Sequence, residues 1–374
     1  MKKAPIRILH FPGSINVSNG RMSVIMNIYR NIDRSMLQFD FAATDSQDSQ
    51  YTEEIKKLGG KIFLLPEVEK NNLIKIKAFT RSILRNNMYD IVQYHATSPW
   101  KVALNVAKKM GVPNIISHSH NSRFGGNWLK SIRNRVFSLD VSRISTKRVA
   151  CSKRSGHLLF GKNSFEVINN SIDESKYRFN AKFRNEIRSK LKVSDDTILL
   201  GQVGRLSAEK NVEFSLNVLY KLKKRSKNVR LVIAGTGELE QTLKRKSEQL
   251  GIDRCVTFLG QCNEVEKLYS ALDILLMPSI YEGIPMTAIE GQASGLNVLL
   301  SNNIDPFTNV GLAKFLDIKV KGLGMWEDEI LKMDLDQSKR INANKLLVEH
   351  HYDIKNTVNK WQYEYMKMSG IENC

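Results

Sequence analysis

The chain has 374 residues, 42% of them hydrophobic, and a formal net charge of +19. This length exceeds what one hydrophobic core usually supports, so we expect two domains of ordinary size. No apolar run of about 18 residues is present to span a bilayer. Residues 1–5 lead directly into a predicted strand rather than an apolar signal segment, which predicts a cytoplasmic protein.

Strands alternate with helices through the first half of the chain, which predicts a parallel sheet with helices on both faces. The strands are predicted at residues 6–11, 39–43, 61–65, 91–94, 114–117, 148–150 and 166–168. The helices are predicted at residues 22–32, 53–58, 73–86 and 100–110.

The second half repeats this alternation, and we expect a second doubly wound α/β domain. Its strands are predicted at residues 198–203, 230–234, 256–259, 274–277 and 297–301, and its helices at 211–224, 239–250 and 265–269. The polar stretch 169–175 marks the junction. The predicted divisions are therefore residues 1–172, residues 173–350 and a final helix within 351–374.

The positive charge is concentrated in the first half, where residues 1–175 hold 27 Lys and Arg against 13 Asp and Glu. Within it, residues 121–162 carry ten basic residues and one acid, Asp140. Such a patch attracts the phosphates of lipid headgroups or nucleic acid. In residues 128–137 (WLKSIRNRVF) the apolar side chains recur at helical spacing, with Lys130, Arg133 and Arg135 elsewhere on the wheel. This predicts either an interfacial amphipathic helix or an ordinary helix packed on the core.

The four cysteines, Cys151, Cys255, Cys262 and Cys374, match neither a metal-ligand spacing nor a disulfide framework. This usage is typical of a reducing compartment, and we expect no structural zinc site.

The most informative segment joins two predicted strands through a loop and a helix. Residues 279–290 (SIYEGIPMTAIE) hold Glu282 on the loop and Glu290 about two helical turns later. Gly283 lets the backbone approach a ligand closely, Pro285 suits the first helical turn, and free N–H groups at the helix start favour a phosphate. A carboxylate can accept two hydrogen bonds from a vicinal diol. A sugar nucleotide offers both a phosphate and vicinal hydroxyls.

This segment resembles the E-x7-E element of retaining glycosyltransferases of the family 4 type. Three further segments resemble motifs of the same family in the same order. They are the diphosphate-binding loop at residues 203–211 (VGRLSAEKN), the second glycine turn at 235–238 (GTGE) and the histidine segment at 117–122 (SHSHNS). The resemblance implies a GT-B fold, with two Rossmann-like domains that face a central cleft, and a last helix that crosses back to the first domain.

The resemblance assigns roles to charged residues of the second domain, the nucleotide-sugar-binding domain. Arg205 and Lys210 are expected to bind the donor diphosphate and to stabilise negative charge on the leaving group, and Gly204 allows their turn. Glu282 is expected near the transferred sugar, and Glu290 at the ribose hydroxyls.

Four further positions of this domain are expected to contact the donor through their backbone. Gly235 and Gly237 would let the base or ribose lie against the chain, with a plain strand-to-helix turn as the alternative. The N–H groups of Met286 and Thr287 would complete a phosphate cradle, because Pro285 cannot donate.

In the first domain, the acceptor side, Gly13 and Gly20 bracket a loop expected near the donor's phosphate or sugar. Asn19 stands where relatives usually have a first glycine. His118 lies at a strand end where relatives place a histidine on the donor sugar, and His120 is the rival. His10 and His95 also lie at strand ends.

The resemblance implies transfer of a sugar, with retention of configuration, from a nucleotide-diphosphate donor, expected to be UDP-linked. No paired-aspartate metal motif accompanies the donor site, so we expect no cofactor and no metal there. The expected acceptor is a saccharide or a polyprenyl-diphosphate-linked saccharide of bacterial capsule or exopolysaccharide synthesis. The basic first domain predicts peripheral contact with an anionic membrane at its inner face.

Two other functions compete with this interpretation. A sugar-nucleotide epimerase of the same fold would require several catalytic acids and a different segment in place of E-x7-E. A nucleic-acid-binding protein would require aromatic residues interleaved with the basic ones, and no such motif occurs. We therefore expect no nucleic acid partner.

Overall fold

The computed structural model describes residues 4–16, 20–44, 50–95, 99–120, 124, 128–225, 227–319 and 321–371. The chain forms two compact units. The first comprises Met1–Ser171 and Ile354–Cys374, and the second comprises Ile172–Asp353. The sequence analysis places the division after residue 172, and it places the start of the segment that returns to the first domain at residue 351.

The first unit contains a parallel sheet with the strand order β3-β2-β1-β4-β5-β6-β7. Its strands are β1 Ile6–Gly13, β2 Leu37–Thr44, β3 Ile62–Leu65, β4 Ile91–Tyr94, β5 Asn114–Ser119, β6 Lys147–Ala150 and β7 Glu166–Val167. Its helices before the division are α1 Gly20–Asn31, α2 Gln50–Lys57, α3 Leu73–Asn86, α4 Val102–Lys109, α5 Trp128–Ser138, α6 Val141–Ile144 and α7 Lys153–Phe160.

The second unit contains a parallel sheet with the order β10-β9-β8-β11-β12-β13. Its strands are β8 Ile198–Val203, β9 Val229–Ala234, β10 Val256–Gly260, β11 Ile274–Met277, β12 Asn297–Ser301 and β13 Ala313–Leu316. Its helices are α8 Ala181–Lys190, α9 Val212–Lys224, α10 Glu240–Gln249, α11 Val265–Ala271, α12 Met286–Ala293, α13 Gly322–Lys332 and α14 Lys345–Glu349. The two doubly wound α/β units confirm the predicted fold class.

The apolar runs of the central strands are buried on both faces, as parallel sheets require. In β11, all four residues of Ile274–Met277 are buried, and alternate ones join separate core clusters on the two sides of the sheet. Leu275 packs with the cluster that contains Ala288 and Ile289 of α12, whereas Leu276 packs with the cluster that contains Leu216 of α9. The core thus holds α12 against β11.

The last helix, α15 Ile354–Met368, belongs to the first unit. Its side chains Trp361 and Tyr365 are buried, and the Tyr365 hydroxyl donates to Gln93 Oε1 of β4 at 2.6 Å. The Tyr365 ring lies edge-on to Phe39 of β2. Trp361 stacks on Tyr365 with ring centroids 5.2 Å apart.

The sequence analysis missed six elements: α6, α7, α8, β13, α13 and α14. Four residues in β13 are too few to reveal a period, and two glycines in the first turn of α13 weaken its helical signal. The predicted helix at 100–110 begins only at Val102, because Pro99–Lys101 forms a 3-10 turn. Within the described ranges, no helix combines the length and apolar character needed to cross a bilayer.

Candidate functional site

The second sheet reverses its strand order at β8, which lies between β9 and β11. In open α/β sheets, ligands bind beyond the carboxyl ends of the strands at such a reversal. The loops that follow β8, β9 and β11 leave the sheet at this same edge, because the three strands are parallel. These loops and the start of α12 carry most of the residues predicted to bind the donor.

Hydrogen bonds join the loop after β8 to the loop after β11. The Ile280 N–H donates to the carbonyl of Glu209 at 2.8 Å, and Asn211 Nδ2 donates to the carbonyl of Pro278 at 3.0 Å. Asn211 adopts a left-handed backbone with φ 50° and ψ 46°, a conformation that asparagine tolerates better than most residues. The turn at Asn211 leads the chain into α9 and fixes the backbone position of the preceding residue, Lys210.

Lys210 and Glu282 form an ion pair between these two loops. Lys210 Nζ lies 2.8 Å from Glu282 Oε2, and the side chains are 21% and 15% exposed. Ser279 Oγ donates to Glu282 Oε1 at 2.5 Å, so both carboxylate oxygens are engaged. A lysine ammonium has three N–H donors. Glu282 therefore holds Lys210 in place, and the lysine ammonium keeps N–H donors that can bind an anion.

Arg205 lies on the loop after β8 and reaches the loop after β9. Its Nη2 donates to Glu238 Oε2 at 3.0 Å, and its side chain is 61% exposed. An exposed ion pair of this kind contributes little to stability. The guanidinium can therefore exchange Glu238 for a phosphate without disturbing the fold.

Gly235 and Gly237 allow the loops after β8 and β9 to lie backbone against backbone. Gly235 has φ +141°, and a Cβ there would lie 1.9 Å from the carbonyl oxygen of Gly204. A Cβ on Gly237 would lie 2.3 Å from the carbonyl oxygen of Leu206. The Gly204 N–H donates to the carbonyl of Ala234 at 2.9 Å. Close packing of the loops therefore requires both glycines, a reason that the sequence did not reveal.

Helix α12 begins at Met286, directly after Pro285, which occupies the N-cap with φ −72°. Proline has no side-chain acceptor, and no side-chain cap bond forms there. The N–H groups of the first turn, including those of Met286 and Thr287, have no partner within the helix and attract anions. Gly283 precedes this turn, and its carbonyl accepts from the N–H of Asp305 at 3.3 Å.

Glu290 lies inside α12 and is largely buried. Tyr269 donates its hydroxyl to Glu290 Oε2 at 2.9 Å, and Tyr177 donates to Oε1 at 3.2 Å. Burial raises the pKa of Glu290, and the two tyrosine hydrogen bonds partly oppose the shift. Neither tyrosine was identified in the sequence, because nothing local to Tyr177 or Tyr269 indicates that it reaches this carboxyl group.

In the first unit, Gly13 ends β1 with φ +89°, which favours glycine. Gly20 begins α1, and a Cβ there would meet nothing within 4 Å. Asn19 lies outside the described residues. Arg21, which the sequence analysis did not single out, donates from Nη1 to the carbonyl of His95 at 3.2 Å. A Cβ on Gly13 would lie 3.5 Å from Arg21 Nη2.

Four histidines meet at the carboxyl edge of the first sheet, where its order reverses between β1 and β4. His10 Nδ1 lies 2.9 Å from His95 Nε2, and His95 Nδ1 lies 2.9 Å from His120 Nε2. Burial lowers the pKa of His10 and of His118 to about 3, and it also lowers those of His95 and His120. All four imidazoles are therefore neutral near pH 7. His118, predicted to contact the donor, is more buried than its rival His120.

The second unit matches a known family model. Residues 183–310 match the model described as "Glycosyl transferases group 1". This range includes the loops after β8, β9 and β11 and the whole of α12.

Two curated relatives extend the likeness. The chain is 29% identical over 368 residues to "Putative glycosyltransferase EpsF" of Bacillus subtilis, and this match covers 96% of each chain. It is 26% identical over 257 residues to "UDP-Gal:alpha-D-GlcNAc-diphosphoundecaprenol alpha-1,3-galactosyltransferase" of Escherichia coli, which covers 65% of this chain and 66% of the relative.

Among solved structures, the chain resembles Anabaena Alr3699/HepE in complex with UDP-glucose, with a TM-score of 0.77 and 17% identity. The match covers 97% of this chain and 99% of HepE, and at this identity it shows the fold alone. The two parallel-sheet units and the likeness to glycosyltransferases along almost the whole chain make this protein a glycosyltransferase with the GT-B fold, and its second unit resembles the glycosyl transferases group 1 model.

Proposed function

We propose that the protein transfers a sugar, with retention of anomeric configuration, from a UDP-sugar to a saccharide or polyprenyl-diphosphate-linked saccharide in bacterial polysaccharide synthesis. The observation that carries this proposal is the position of Lys210, held by Glu282 at the edge of the sheet where the strand order reverses. Arg205 lies on the same loop, and the first turn of α12 follows the loop that carries Glu282. A diphosphate is the ligand that suits two cations and a helix start.

The proposed chemistry separates charge at the glycosidic bond. The bond from the anomeric carbon to the diphosphate oxygen breaks, the electron pair goes to the diphosphate, and the sugar becomes oxocarbenium-like. Lys210, Arg205 and the N–H groups of Met286 and Thr287 stabilise the departing diphosphate. The acceptor hydroxyl attacks from the same face and loses its proton to a diphosphate oxygen. Glu282 keeps Lys210 oriented and faces the sugar.

Names of the relatives support the proposed donor and acceptor. The Escherichia coli relative is named for a UDP-linked galactose donor and a diphosphoundecaprenol-linked acceptor, and HepE binds UDP-glucose. Each carboxylate oxygen of Glu290 accepts one hydrogen bond, from Tyr177 or from Tyr269, and keeps one further lone pair. A ribose hydroxyl can donate to either of them.

A donor and acceptor screen tests this proposal. UDP-glucose, UDP-galactose and UDP-N-acetylglucosamine are each tested for protection against thermal unfolding, with ADP-glucose and GDP-mannose as controls. The protecting donor is then incubated with a polyprenyl-diphosphate-linked saccharide, and NMR of the product gives its anomeric configuration. We expect protection by a UDP-sugar and a product with the donor's configuration. An inverted product, or protection by the controls alone, would contradict the proposal.

We also propose that α5 binds an anionic membrane surface. The helix is oriented with its polar side inward: Asn134 is 9% exposed and Ser138 is buried, and Asn134 Nδ2 donates to the carbonyl of Phe124. The apolar side faces solvent, with Trp128 70% exposed. Further exposed apolar residues on and next to the helix are Leu129, Ile132, Val136 and Leu139. Among the described residues, this orientation turns the apolar side of α5 away from the core, which supports an interfacial helix over one packed on the core.

Basic side chains accompany this apolar surface. Arg133 and Arg135 are exposed, whereas the side chain of Lys130 lies outside the described residues. Apolar side chains inserted at the headgroup boundary and cations on anionic lipids together bind an amphipathic helix to a bilayer.

Co-sedimentation with liposomes tests this second proposal. Replacing Trp128, Leu129 and Ile132 by serine, or Arg133 and Arg135 together with Lys130 by alanine, should weaken binding to phosphatidylglycerol vesicles by about tenfold or more. A matched control replaces three isolated exposed apolar residues, Val68, Ile74 and Met88, by serine. Equal co-sedimentation of all variants would contradict a membrane role for α5.

A further inference from the structure

The first unit contains a side-chain cluster to which the proposed chemistry assigns no step, although the resemblance places one member, His118, at the donor sugar. Four of the chain's seven histidines meet there. We propose that His95, His118 and His120 bind a divalent transition-metal ion of the zinc type, and that His10 orients His95 from behind.

The strands place three imidazoles at one point. His118 lies in β5 and His120 two residues later, so alternation along the chain directs them to one side. His95 follows β4, the neighbouring strand, which pairs with β5 so that Tyr94 lies opposite Ser117. One ring nitrogen from each of the three histidines lies within 4.8 Å of the others. Tetrahedral zinc places its nitrogen ligands about 3.3 Å apart. Small ring rotations would bring the wider pairs closer and move His95 Nδ1 and His120 Nε2, now 2.9 Å apart, slightly away from each other.

The contact between His10 and His95 allows the tautomer of His95 that a ligand requires. When His95 donates from Nε2 to His10 Nδ1 at 2.9 Å, its Nδ1 carries the free lone pair. That Nδ1 points at His120 Nε2, 2.9 Å away. Metal-binding histidines nearly always donate their second ring N–H to a partner that fixes the ring. His10 is that positioning residue here.

His118 supplies the third nitrogen. Both of its ring nitrogens are buried, and neither has a hydrogen-bond partner within the described part of the protein. Its ring lies 3.9 Å from the His120 ring, centroid to centroid, and 5.1 Å from Trp361, which covers it.

The ligand chemistry restricts the choice of ion. Three imidazoles suit zinc, cobalt, nickel and copper, whereas magnesium and calcium prefer oxygen ligands. Three protein ligands leave a fourth position open. Arg21 opposes a bare cation, since its charge acts on both His95 and His120. The same charge favours an anionic fourth ligand, such as hydroxide or a phosphate oxygen.

Metal binding by the full-length, tag-free protein tests this inference. After chelator dialysis, the protein is titrated with Co²⁺, and its visible absorption is recorded. Equilibrium dialysis with Zn²⁺ gives the stoichiometry. We expect one equivalent of each ion, an intense tetrahedral Co²⁺ spectrum without a thiolate charge-transfer band, and displacement of Co²⁺ by Zn²⁺.

Variants identify the ligands. His118→Asn and His120→Asn should each abolish the tetrahedral spectrum, and His10→Phe should weaken zinc binding about 10- to 100-fold while the spectrum is kept. The double variant His157→Asn with His350→Asn removes two exposed histidines and is the matched control, expected to bind as the wild type. Thermal unfolding without metal shows whether each variant is folded.

X-ray absorption of the zinc-loaded wild type gives a readout that needs no variant. We expect scattering from three imidazoles at about 2.0–2.1 Å. Fewer imidazoles, sub-stoichiometric binding, or ligand variants that bind zinc as tightly as the control would overturn the inference. None of these readouts depends on sugar transfer, so they are independent of the proposed function.

Discussion

At the scale of single residues, Lys210 and Glu282 are far apart in the chain but form one ion pair. The sequence indicated both from their motifs and gave them separate roles. The structure adds that Glu282, held by Ser279, restrains the lysine. A preorganised cation stabilises leaving-group charge without reorganising during the reaction.

We expect Lys210→Ala to lower kcat by about 100- to 1,000-fold with no loss of folded protein, because in the proposed mechanism it removes a charge directed at the leaving diphosphate. Steady-state transfer assays give kcat, and thermal unfolding reports folding. Lys190→Ala is the matched control, since Lys190 pairs with Glu186 at 2.7 Å on α8. Arg205→Ala should also lower kcat, and near-normal activity of both variants would refute the proposed roles.

Glu290 predicts a dependence of stability on pH. Because burial raises its pKa above the ordinary 4.5, the folded protein keeps a proton that the unfolded chain has lost. The free energy of unfolding therefore decreases as pH rises from about 4.5 through the pKa of the folded state. Glu290→Gln should remove this loss, so the variant should gain stability relative to the wild type across that window.

Denaturant unfolding at a series of pH values measures this difference. Glu349→Gln, at an exposed glutamate that ends α14, is the control and should follow the wild type. Parallel pH profiles for Glu290→Gln and the wild type would show that the carboxyl group gains no proton affinity on folding.

At the scale of elements, the loops after β8 and β9 form one packed layer, and glycine is the residue that permits it. We expect Gly235→Ala to destabilise the second unit by at least about 3 kcal/mol, because it adds a backbone clash to an unfavourable positive φ. The control is Gly324→Ala in α13, where a Cβ meets nothing within 4 Å. It should be neutral or stabilising by up to about 1 kcal/mol.

Thermal and denaturant unfolding of both glycine variants test this comparison. Equal stability of Gly235→Ala and the wild type would mean that the loops can separate without loss, and that Gly235 serves another purpose.

At the scale of the whole molecule, the first unit is completed by the end of the chain. Trp361 and Tyr365 of α15 pack among residues of β2, β4 and β5. Trp361→Ala should therefore destabilise the first unit by about 3–5 kcal/mol. Hydrogen exchange should accelerate in β2, β4 and β5 and remain unchanged in β8 and β9.

Trp326→Ala provides the reciprocal control. Trp326 is fully buried in the second unit, where its ring contacts Phe214 at 5.2 Å between centroids. Its loss should accelerate exchange in β8 and β9 instead. If both variants affected both units equally, the two units would unfold as a single cooperative body.

The sequence alone determined the two α/β units and most strands, because alternation of buried strands and amphipathic helices is a local property of the chain. Several strand bounds, such as Ile91–Tyr94 and Ile274–Met277, match the prediction residue for residue. Motifs with characteristic spacing also indicated Lys210, Glu282 and the start of α12 as candidate site residues.

Only the tertiary structure decided which side chains meet. The tyrosines at Glu290, the ion pair of Lys210, the inward polar face of α5 and the cluster of four histidines all join segments that are distant in sequence. Strand order brings such segments together, and no local pattern of residues encodes strand order. The helical period located an apolar face on α5, but only packing determined that this face is turned to solvent.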